Sequence, residues 1–436
     1  MRIAILGGGL TGLSAAHNLS RNTNHKVVVY EAESRLGGLA SGFRGQGWEW
    51  ELERAYHHIF SSDRYIINFL REVEYRGVTF SSPITASLYD RAGSFQVYPV
   101  DSPLQILRLP LLSFLEKMRA GTTLGAFKLS PYLGYYEKHT TEELLCKWMG
   151  KRPYEILFGR IFRKKFGKYA GNILASFIWS RIHMRTKNLG YMQGGFQNMV
   201  NHVAETCVRE GVDIQTNSRI SSITKTADRR FLLMVEQGAN KHEETFDSIV
   251  STLPTPTLAA VSEKVLSAQE ITKFKKLKYL GAANLIVEME EKVFEKEYWV
   301  SMCTDKIPSL VFLQHTNFVD KSHYNGHNIL YVASYCEPDD PLMHMSTEQM
   351  LEMYLPAIEK IVGSKCKVYD AFVWRAKHAQ PIFDKDFLVN VPTFNTSDPH
   401  FFIANLDMTY PYDRGTNFAV KLGKDVAALV LQSVGV

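Results

Sequence analysis

The sequence has few cysteines and lacks any arrangement of them that marks a metal or disulfide framework. The five thiols are an odd number at wide spacings, with no C-x-x-C pair, and lie at Cys146, Cys207, Cys303, Cys336 and Cys366. Neither a zinc cluster nor a disulfide scaffold is therefore indicated, and no metal site is expected. Reduced thiols in the core of a cytoplasmic protein are the expectation.

Long apolar runs and an excess of charge of one sign are also missing. No uncharged apolar run is 18 residues long, so no membrane-spanning helix is expected. The apolar stretch from Ile3 is broken by glycines and precedes no small-residue cleavage site, so no signal peptide is expected either. Lys and Arg number 50 against 45 Asp and Glu, without a basic block, and nucleic-acid binding is not indicated.

Several catalytic signatures are absent too. There is no G-x-S-x-G, no H-E-x-x-H and no Walker loop, which argues against hydrolase, metalloprotease and phosphoryl-transfer functions. What the chain does have is 436 residues, 45% of them hydrophobic and 12% aromatic. This length and composition predict a large packed interior divided between two domains.

The N-terminus carries a strand, a glycine turn and a helix in direct succession. Arg2–Leu6 has the apolar run of a short buried strand, and Gly7-Gly8-Gly9-Leu10-Thr11-Gly12 follows it before a helical pattern begins. Gly7 permits the tight turn, Gly9 lets the backbone approach a pyrophosphate, and Gly12 allows close helix packing. The helix N-terminus also offers free N–H groups to an anion. The segment predicts a dinucleotide-binding βαβ unit.

An acidic residue stands where such a unit needs one. The apolar strand Lys26–Tyr30 ends at Glu31, which lies 19 residues beyond Gly12. The spacing is close to the roughly 20 residues expected for the carboxylate that accepts hydrogen bonds from the adenosine ribose. A βαβ unit whose glycines serve only packing is the alternative.

The residues after Glu31 bear on which dinucleotide is bound. Arg35-Leu36-Gly37-Gly38 pairs an arginine with a glycine turn, a combination that can neutralise a diphosphate and cradle it with backbone N–H groups. This segment resembles the R-x-G-G segment of FAD-dependent flavoproteins of the amine oxidase, protoporphyrinogen oxidase and phytoene desaturase superfamily. The resemblance implies non-covalent FAD.

The rest of the chain fits the discontinuous organisation of that superfamily. The resemblance implies an α/β fold in which a Rossmann-like FAD-binding domain carries an inserted α+β substrate domain. The expected bounds are residues 1–80, 190–258 and 381–436 for the FAD domain and 81–189 and 259–380 for the substrate domain. Near the end, Arg414-Gly415-Thr416-Asn417 opens a long final helix after a short strand, which is again a site that favours anions.

The motifs and the resemblance together predict a set of cofactor contacts. These lie at Gly7, Gly9, Leu10, Thr11, Gly12, Glu31, Ala32, Arg35, Gly37, Gly38, Leu39, Ala40, His57, Ile220, Thr252, Asn405, Gly415, Thr416 and Asn417.

Two further segments carry candidate chemistry. His57 and His58 resemble the His-x-Phe segment of UDP-galactopyranose mutase, and only one of the two can face the flavin if the segment is extended. His58 is predicted to be catalytic; a core histidine bonded to backbone is the alternative. Arg181 and Arg185 resemble the R-I-x-x-R segment of the same enzyme, and would share one face of a helix.

The arginine pair predicts a substrate with an anionic group, held by Arg185 as a substrate-binding and catalytic residue with help from Arg181. A solvated basic face is the alternative. The nearby phenylalanines, Phe162 and Phe166, replace the aromatic residues that stack and hydrogen-bond in the mutase, which puts UDP-sugar recognition in doubt.

The expected function is hydride or two-electron transfer between a small-molecule carbon centre and FAD. A redox-neutral isomerase that resembles UDP-galactopyranose mutase, with a nucleotide-sugar-like anionic substrate, is the alternative, and a flavin-containing binding protein is a third. Residues 104–115 are largely apolar, which raises peripheral membrane contact. A helix of the substrate domain that buries the same leucines explains the pattern equally well, and Pro110 would interrupt a long amphipathic helix. The substrate, the electron acceptor and the oligomeric state stay open.

Overall fold

The computed structural model describes residues 1–21, 25–412 and 414–433. Its strands are β1 Arg2–Leu6, β2 Lys26–Tyr30, β3 Gly42–Phe43, β4 Leu52–Glu53, β5 Ile59–Phe60, β6 Val78–Ser81, β7 Ile84–Arg91, β8 Ser94–Pro99, β9 Leu189–Met192, β10 Asp213–Gln215, β11 Arg219–Lys225, β12 Phe231–Gln237, β13 Asn240–Phe246, β14 Ser248–Ser251, β15 Tyr279–Met289, β16 Glu297–Cys303, β17 Val311–Gln314, β18 Asn328–Cys336, β19 Val368–Pro381 and β20 Phe401–Ile403.

The α-helices complete the element order. They are α1 Leu10–Ser20, α2 Arg64–Glu72, α3 Pro103–Arg108, α4 Phe114–Leu129, α5 Leu133–Tyr136, α6 Thr141–Met149, α7 Lys151–Tyr154, α8 Arg160–Phe166, α9 Ala175–Met184, α10 Phe196–Arg209, α11 Thr255–Ser262, α12 Ala268–Phe274, α13 Thr347–Val362, α14 Lys385–Asn390 and α15 Thr416–Ser433.

A five-stranded parallel sheet forms the first layer, in the order β10-β2-β1-β14-β20. Its central strands β1 and β14 are apolar and buried, as expected for parallel strands covered on both faces. The N-terminal strands therefore pair with strands from the middle and the end of the chain, which agrees with a Rossmann-like α/β fold. The domain bounds given above stay a prediction.

Glycines allow the helices to approach this sheet closely. A Cβ on Gly12 would lie 2.0 Å from the Gly7 carbonyl oxygen, and one on Gly423 would lie 2.4 Å from the Thr11 carbonyl oxygen. Helix α15 thus packs against α1 in backbone contact, and the end of the chain is fixed beside the glycine turn.

A seven-stranded mixed sheet forms the second layer, in the order β19-β15-β18-β17-β16-β7-β8. Because successive side chains along a strand point to opposite faces, the sheet presents a different set of residues on each face. One face packs in a core with α13, through Leu330 and Val332 of β18 and Met350 of the helix. The other face, here called the floor, carries Tyr331 and Trp299 and packs in the core that also contains Ile3 and Ile5 of β1.

Helices α3 to α9 form a separate lobe with its own core, which includes Phe127, Leu145 and Phe166. The apolar stretch over residues 104–115 is divided here, because α3 ends at Arg108 and α4 begins only at Phe114. Leu109 and Leu112 in the connection are buried, while residues on both flanking helices are exposed. The prediction of an interruption near Pro110 is confirmed.

Among the described residues, no helix combines the length and the apolar character needed to cross a bilayer. All five cysteines are free thiols, and three of them are buried: Cys207, Cys303 and Cys336.

Candidate functional site

Two glycine loops face each other at the carboxyl end of β1. Gly9 is the N-cap of α1, and none of the described side chains caps this helix. Its first N–H groups, on Leu10, Thr11 and Gly12, therefore have no acceptor within the helix. The second loop is held against the first by the Gly37 N–H, which donates to the Gly8 carbonyl at 2.9 Å.

The space between these loops suits a diphosphate. A Cβ on Gly9 would have only the Cα of Gly38, 4.0 Å away, as a neighbour among the described atoms. A side chain here would occupy the gap between the loops without touching the protein core, whereas one on Gly12 would strike backbone. The helix dipole and free N–H groups point into this gap, so the donor set and the room fit the diphosphate of FAD.

Glu31 holds the turn together from the end of β2. Its Oε2 accepts from the Gly8 N–H at 2.8 Å and its Oε1 from the Glu33 N–H at 2.9 Å. The carboxylate thus lies at the glycine turn, where the ribose contact was predicted. Ala32 beside it is exposed, and Ile220 on β11 lies two residues after Ser218, whose N–H donates to the Glu31 carbonyl at 2.8 Å.

Other predicted cofactor residues make contacts within the protein. Arg35 donates to the Gly42 carbonyl at 3.2 Å and pairs with Glu51, and Thr252 donates from its hydroxyl to the Leu6 carbonyl at 2.9 Å. Leu39 is partly exposed and Ala40 is buried in the turn that follows Gly38. Their contacts with FAD stay a prediction.

The C-terminal segment behaves in the same way. Gly415 has open space around it among the described atoms, and Thr416 begins α15 directly after it. The Asn417 side chain, however, accepts from the Tyr65 and Ile66 N–H groups and so caps α2. Asn405 donates to Leu253 and Thr255. These two amides are engaged in protein contacts, and their role toward FAD stays a prediction.

Residues 53–58, here called the strap, lie against the floor of the seven-stranded sheet. Tyr331 of β18 donates to the Glu53 carbonyl at 2.7 Å, and Asn284 of β15 donates to the Arg54 carbonyl at 3.3 Å. Hydrogen bonds to two successive carbonyls therefore hold the strap against the floor. The guanidinium of Arg54 lies 4.3 Å from the ring centroid of Trp374 on β19.

The two histidines of the strap face different surroundings. His57 packs near Phe196 of α10, at 5.5 Å between ring centroids, and its Nδ1 contacts the Ala55 carbonyl at 2.6 Å. Burial lowers the pKa of His57 to about 4; the hydrogen bond to the Ala55 carbonyl opposes this shift and the positive charge of Arg414 adds to it. His57 is thus neutral at pH 7, with Nδ1 as the donor and Nε2 free of that role.

His58 lies on the opposite side, among Phe60, Tyr298 and Trp299. Trp299 pairs across the sheet with Thr85, and Thr85 accepts from the Arg185 guanidinium at 3.1 Å. The two predicted catalytic residues therefore reach the same end of the floor, at β16 and β7.

The two predicted arginines differ in geometry from the expectation of one helical face. Helix α9 ends at Met184, and Arg185 follows it with extended backbone angles. Its guanidinium is half exposed and pairs with Asp101 at 3.3 Å. Arg181 lies within the helix, with its guanidinium 3.4 Å from the Phe177 ring centroid. The helix ends one residue too early for the pair to act as a single fork.

Arg181 instead belongs to a cluster of three cations, here called the cationic cluster. Lys165 of α8 lies 5.1 Å from the Phe177 ring and 5.0 Å from the Tyr335 ring. The Arg414 guanidinium lies 5.1 Å from the same Tyr335 ring and donates to the Tyr335 hydroxyl and the Ala379 carbonyl. Two aromatic rings thus bring together charges from α8, α9 and the start of α15.

Sequence reasoning missed Arg54, Lys165 and Arg414 as site residues. Arg414 had a local signal, since it directly precedes the glycine that opens the final helix. Lys165 and Arg54 had none, because neither helical periodicity nor motif spacing tells which of many basic residues turns toward a cleft. It also missed Glu53, a buried carboxylate that accepts from the Tyr191 hydroxyl at 2.9 Å and the Phe196 N–H at 2.7 Å.

Comparisons with known proteins identify several similar flavoproteins. Among curated relatives, probable polyamine oxidase 4 from Arabidopsis thaliana is 23% identical over 271 residues, covering 59% of this chain and 51% of that protein. An L-amino acid oxidase from Cerastes cerastes is 19% identical over 376 residues, covering 81% and 70%. The match thus spans about half the length of the first of these relatives.

Solved structures share the fold over nearly the whole chain. A putative protoporphyrinogen oxidase from Exiguobacterium sp. 255-15 has a TM-score of 0.73 at 16% identity and covers 99% of both chains. Reduced UDP-galactopyranose mutase has a TM-score of 0.75 at 15% identity, covering 99% of this chain and 95% of that one.

The family match also covers nearly the whole chain. Residues 10–430 match the family described as flavin containing amine oxidoreductase. The two opposed glycine loops add the dinucleotide site that distinguishes FAD from a mononucleotide flavin. The chain therefore belongs to the flavin-containing amine oxidoreductase family, with FAD as its cofactor.

Proposed function

We propose that this protein is an FAD-dependent oxidoreductase that exchanges a hydride or two electrons between the flavin and a carbon centre of a small anionic molecule. The observation that carries the proposal is the cationic cluster of Lys165, Arg181 and Arg414. Lys165 and Arg181 belong to the helical lobe, and Arg414 joins them from the segment before α15. Three positive charges held close together favour a carboxylate or phosphate over a cationic ligand.

Bound FAD supplies the two-electron chemistry, and the chain supplies binding and orientation. The first N–H groups of α1 and the loop at Gly37 and Gly38 bind the diphosphate, while Glu31 binds the ribose. Thr252 and Gly415, which directly precedes α15, complete the proposed FAD site. Neutral His57 offers Nε2 as a hydrogen-bond acceptor at the strap.

In this proposal the substrate contacts the cationic cluster, the strap and the floor. The cationic cluster anchors the anionic group at the end near Tyr335, and the strap keeps the rest of the molecule over the floor. We propose His58 as the group that takes the proton that the substrate releases on oxidation, since it lies beside Trp299 on this floor. Arg185 orients the same end through Thr85.

The charge of the cluster separates the substrates suggested by the relatives' names. A polyamine, named for the Arabidopsis relative, would place its ammonium groups against three cations. An amino acid, named for the Cerastes relative, brings a carboxylate that the cluster can pair with. We expect small amino and hydroxy carboxylates to reduce the flavin and polyamines not to do so.

The test is anaerobic titration of the FAD-loaded protein with L-amino acids, 2-hydroxy acids and spermidine, followed by the visible flavin spectrum. Bleaching by a carboxylate and none by spermidine supports the proposal. Bleaching by spermidine with the greater affinity would contradict the anionic assignment. No change with any carboxylate or phosphate, at concentrations that saturate related enzymes, would contradict the proposal as a whole.

Variants of the cluster give a sharper test with one carboxylate that bleaches the flavin. Loss of a charge-assisted contact costs about 1.5–3 kcal/mol, so Arg181→Ala should raise the apparent dissociation constant roughly ten-fold to more than a hundred-fold. Arg163→Ala is the control, since Arg163 on α8 is exposed and pairs with Glu155. The apparent dissociation constant of the same carboxylate for Arg185→Ala decides whether Arg185 also binds the substrate.

The isomerase is the second candidate, favoured by the similarity to UDP-galactopyranose mutase in fold. An oxidoreductase consumes an electron acceptor with each turnover. A redox-neutral isomerase converts its substrate without net consumption of an electron acceptor and with the flavin kept reduced. Conversion of a UDP-sugar by the dithionite-reduced protein, without oxygen uptake, would favour the isomerase.

We also propose that the protein works in the cytoplasm, as its free thiols suggest. Fractionation of cells that express the tagged chain tests this; recovery in an oxidising compartment with disulfide-bonded thiols would contradict it.

A further inference from the structure

The helical lobe carries an unusual number of apolar side chains on its surface. Several of them are more exposed than surface packing requires: Phe114 at 71%, Leu115 at 74%, Leu129 at 82% and Tyr132 at 72%. Other apolar side chains on α3, α4 and α5 are exposed to a lesser degree. Together we call them the apolar patch, formed by Leu104, Leu107, Phe114, Leu115, Met118, Leu129, Tyr132 and Tyr135.

Helix α4 organises this patch into a line. Phe114, Met118 and Leu129 follow one another at intervals of four and eleven residues, which places them on one side of an α-helix. The opposite side carries Ala120 and Phe127, which are fully buried in the lobe. The outward stripe therefore runs the length of α4, roughly 24 Å at 1.5 Å per residue.

Basic side chains border the stripe. By helical geometry Arg119 lies on one flank and Lys117 and Lys128 on the other, and residues 103–140 hold five basic residues against two acidic ones. Arg119 donates to the Trp148 carbonyl, and Lys128 donates to the carbonyls of His183 and Arg185. A main-chain carbonyl accepts such a bond without cancelling the charge.

This combination of an apolar line between cations matches one kind of partner. A soluble protein seldom leaves so many large apolar side chains in solvent without a partner to cover them. Apolar side chains that enter a bilayer interface beside lysines and arginines that contact anionic headgroups bind peripherally. The tyrosines suit the same interface, since their rings are apolar and their hydroxyls polar.

We propose that the apolar patch docks this protein on an anionic lipid surface, with α4 lying in the plane of the headgroups. The inference goes beyond the flavin chemistry and does not depend on it. Docking would set the substrate lobe against the membrane, because α9, which carries Arg181, packs behind α4 with the Trp179 indole N–H donating to the Ser130 carbonyl at 2.8 Å.

The test is co-sedimentation of the FAD-loaded protein with vesicles of phosphatidylcholine alone or mixed with phosphatidylglycerol. We expect binding to the mixed vesicles, weakened by salt because the cations contribute through screened electrostatics. Leu115→Glu and Leu129→Glu each remove apolar burial and add a charge of the lipid's own sign, and should weaken binding by about ten-fold or more. The flavin spectrum should not change.

Val389→Glu is the matched control, because Val389 is 67% exposed but lies on α14, outside the patch. It should bind vesicles as the wild type does. Equal binding by the patch variants, or equal loss in the control, would overturn the proposal, as would the same affinity for neutral vesicles. Concentration-dependent dimers that Leu115→Glu disrupts without lipid would assign the patch to a second copy of the chain instead.

Discussion

Glu53 is a buried carboxyl group whose ionisation should make the protein's stability depend on pH. It is 1% exposed and lies at the start of the strap, with the Tyr191 hydroxyl and the Phe196 N–H as hydrogen-bond donors. Burial raises the pKa of Glu53 to about 7 from an ordinary value of 4.5, and the two donors offset only part of that effect. Glu53→Gln removes the charge and keeps the shape.

The size and sign of the effect follow from proton linkage. Between about pH 4.5 and pH 7 the unfolded chain releases this proton while the folded protein keeps it, so the unfolded state binds fewer protons and stability falls as pH rises. A difference of about 2.5 pKa units corresponds to about 3.5 kcal/mol at about 1.4 kcal/mol per unit. The loss is complete above pH 7, and absent below pH 4.5.

The assay is urea denaturation of the FAD-loaded wild type and Glu53→Gln at several pH values from 5 to 8. Relative to the wild type, the variant should gain about 2.5 kcal/mol in the free energy of unfolding between pH 5 and pH 8. Glu205→Gln, on the exposed side of α10, should run parallel to the wild type. Parallel curves for Glu53→Gln as well would refute the raised pKa.

Three further substitutions test the site and its support. Gly9→Leu should give a folded protein that lacks FAD, because its side chain fills the gap between the glycine loops; Gly121→Leu, in open space on α4, should keep normal flavin content. Gly12→Ala should instead lower the melting temperature, since its Cβ meets backbone at 2.0 Å; unchanged stability would contradict this close packing. Lys164→Met should destabilise by about 1–3 kcal/mol in urea, because Lys164 donates to the carbonyls of Thr304, Ile307 and Ser309, and a neutral result would show that water replaces it.

The meeting of the two glycine loops and Glu31 could be predicted because these parts are close in the sequence. Gly7, Gly9 and Gly12 lie within six residues of one another, where β1 turns into α1. A strand followed by a short turn and a helix restricts how the backbone can place these glycines. Glu31 ends the next strand, whose parallel pairing with the first brings it to the same sheet edge. Short loops and regular elements transmit sequence spacing directly into distance.

The substrate half depended on contacts that no local pattern records. Arg185 lies outside the helix that was expected to carry it, because α9 ends at Met184. Arg414 reaches Tyr335 only because α15 packs against α1 and the seven-stranded sheet sets the register of β18. Sequence alone determined that the two glycine loops and Glu31 meet at one sheet edge, since that geometry is local. Only the tertiary structure decided which cations meet, because Arg414 joins Lys165 and Arg181 through packing between segments far apart in the chain.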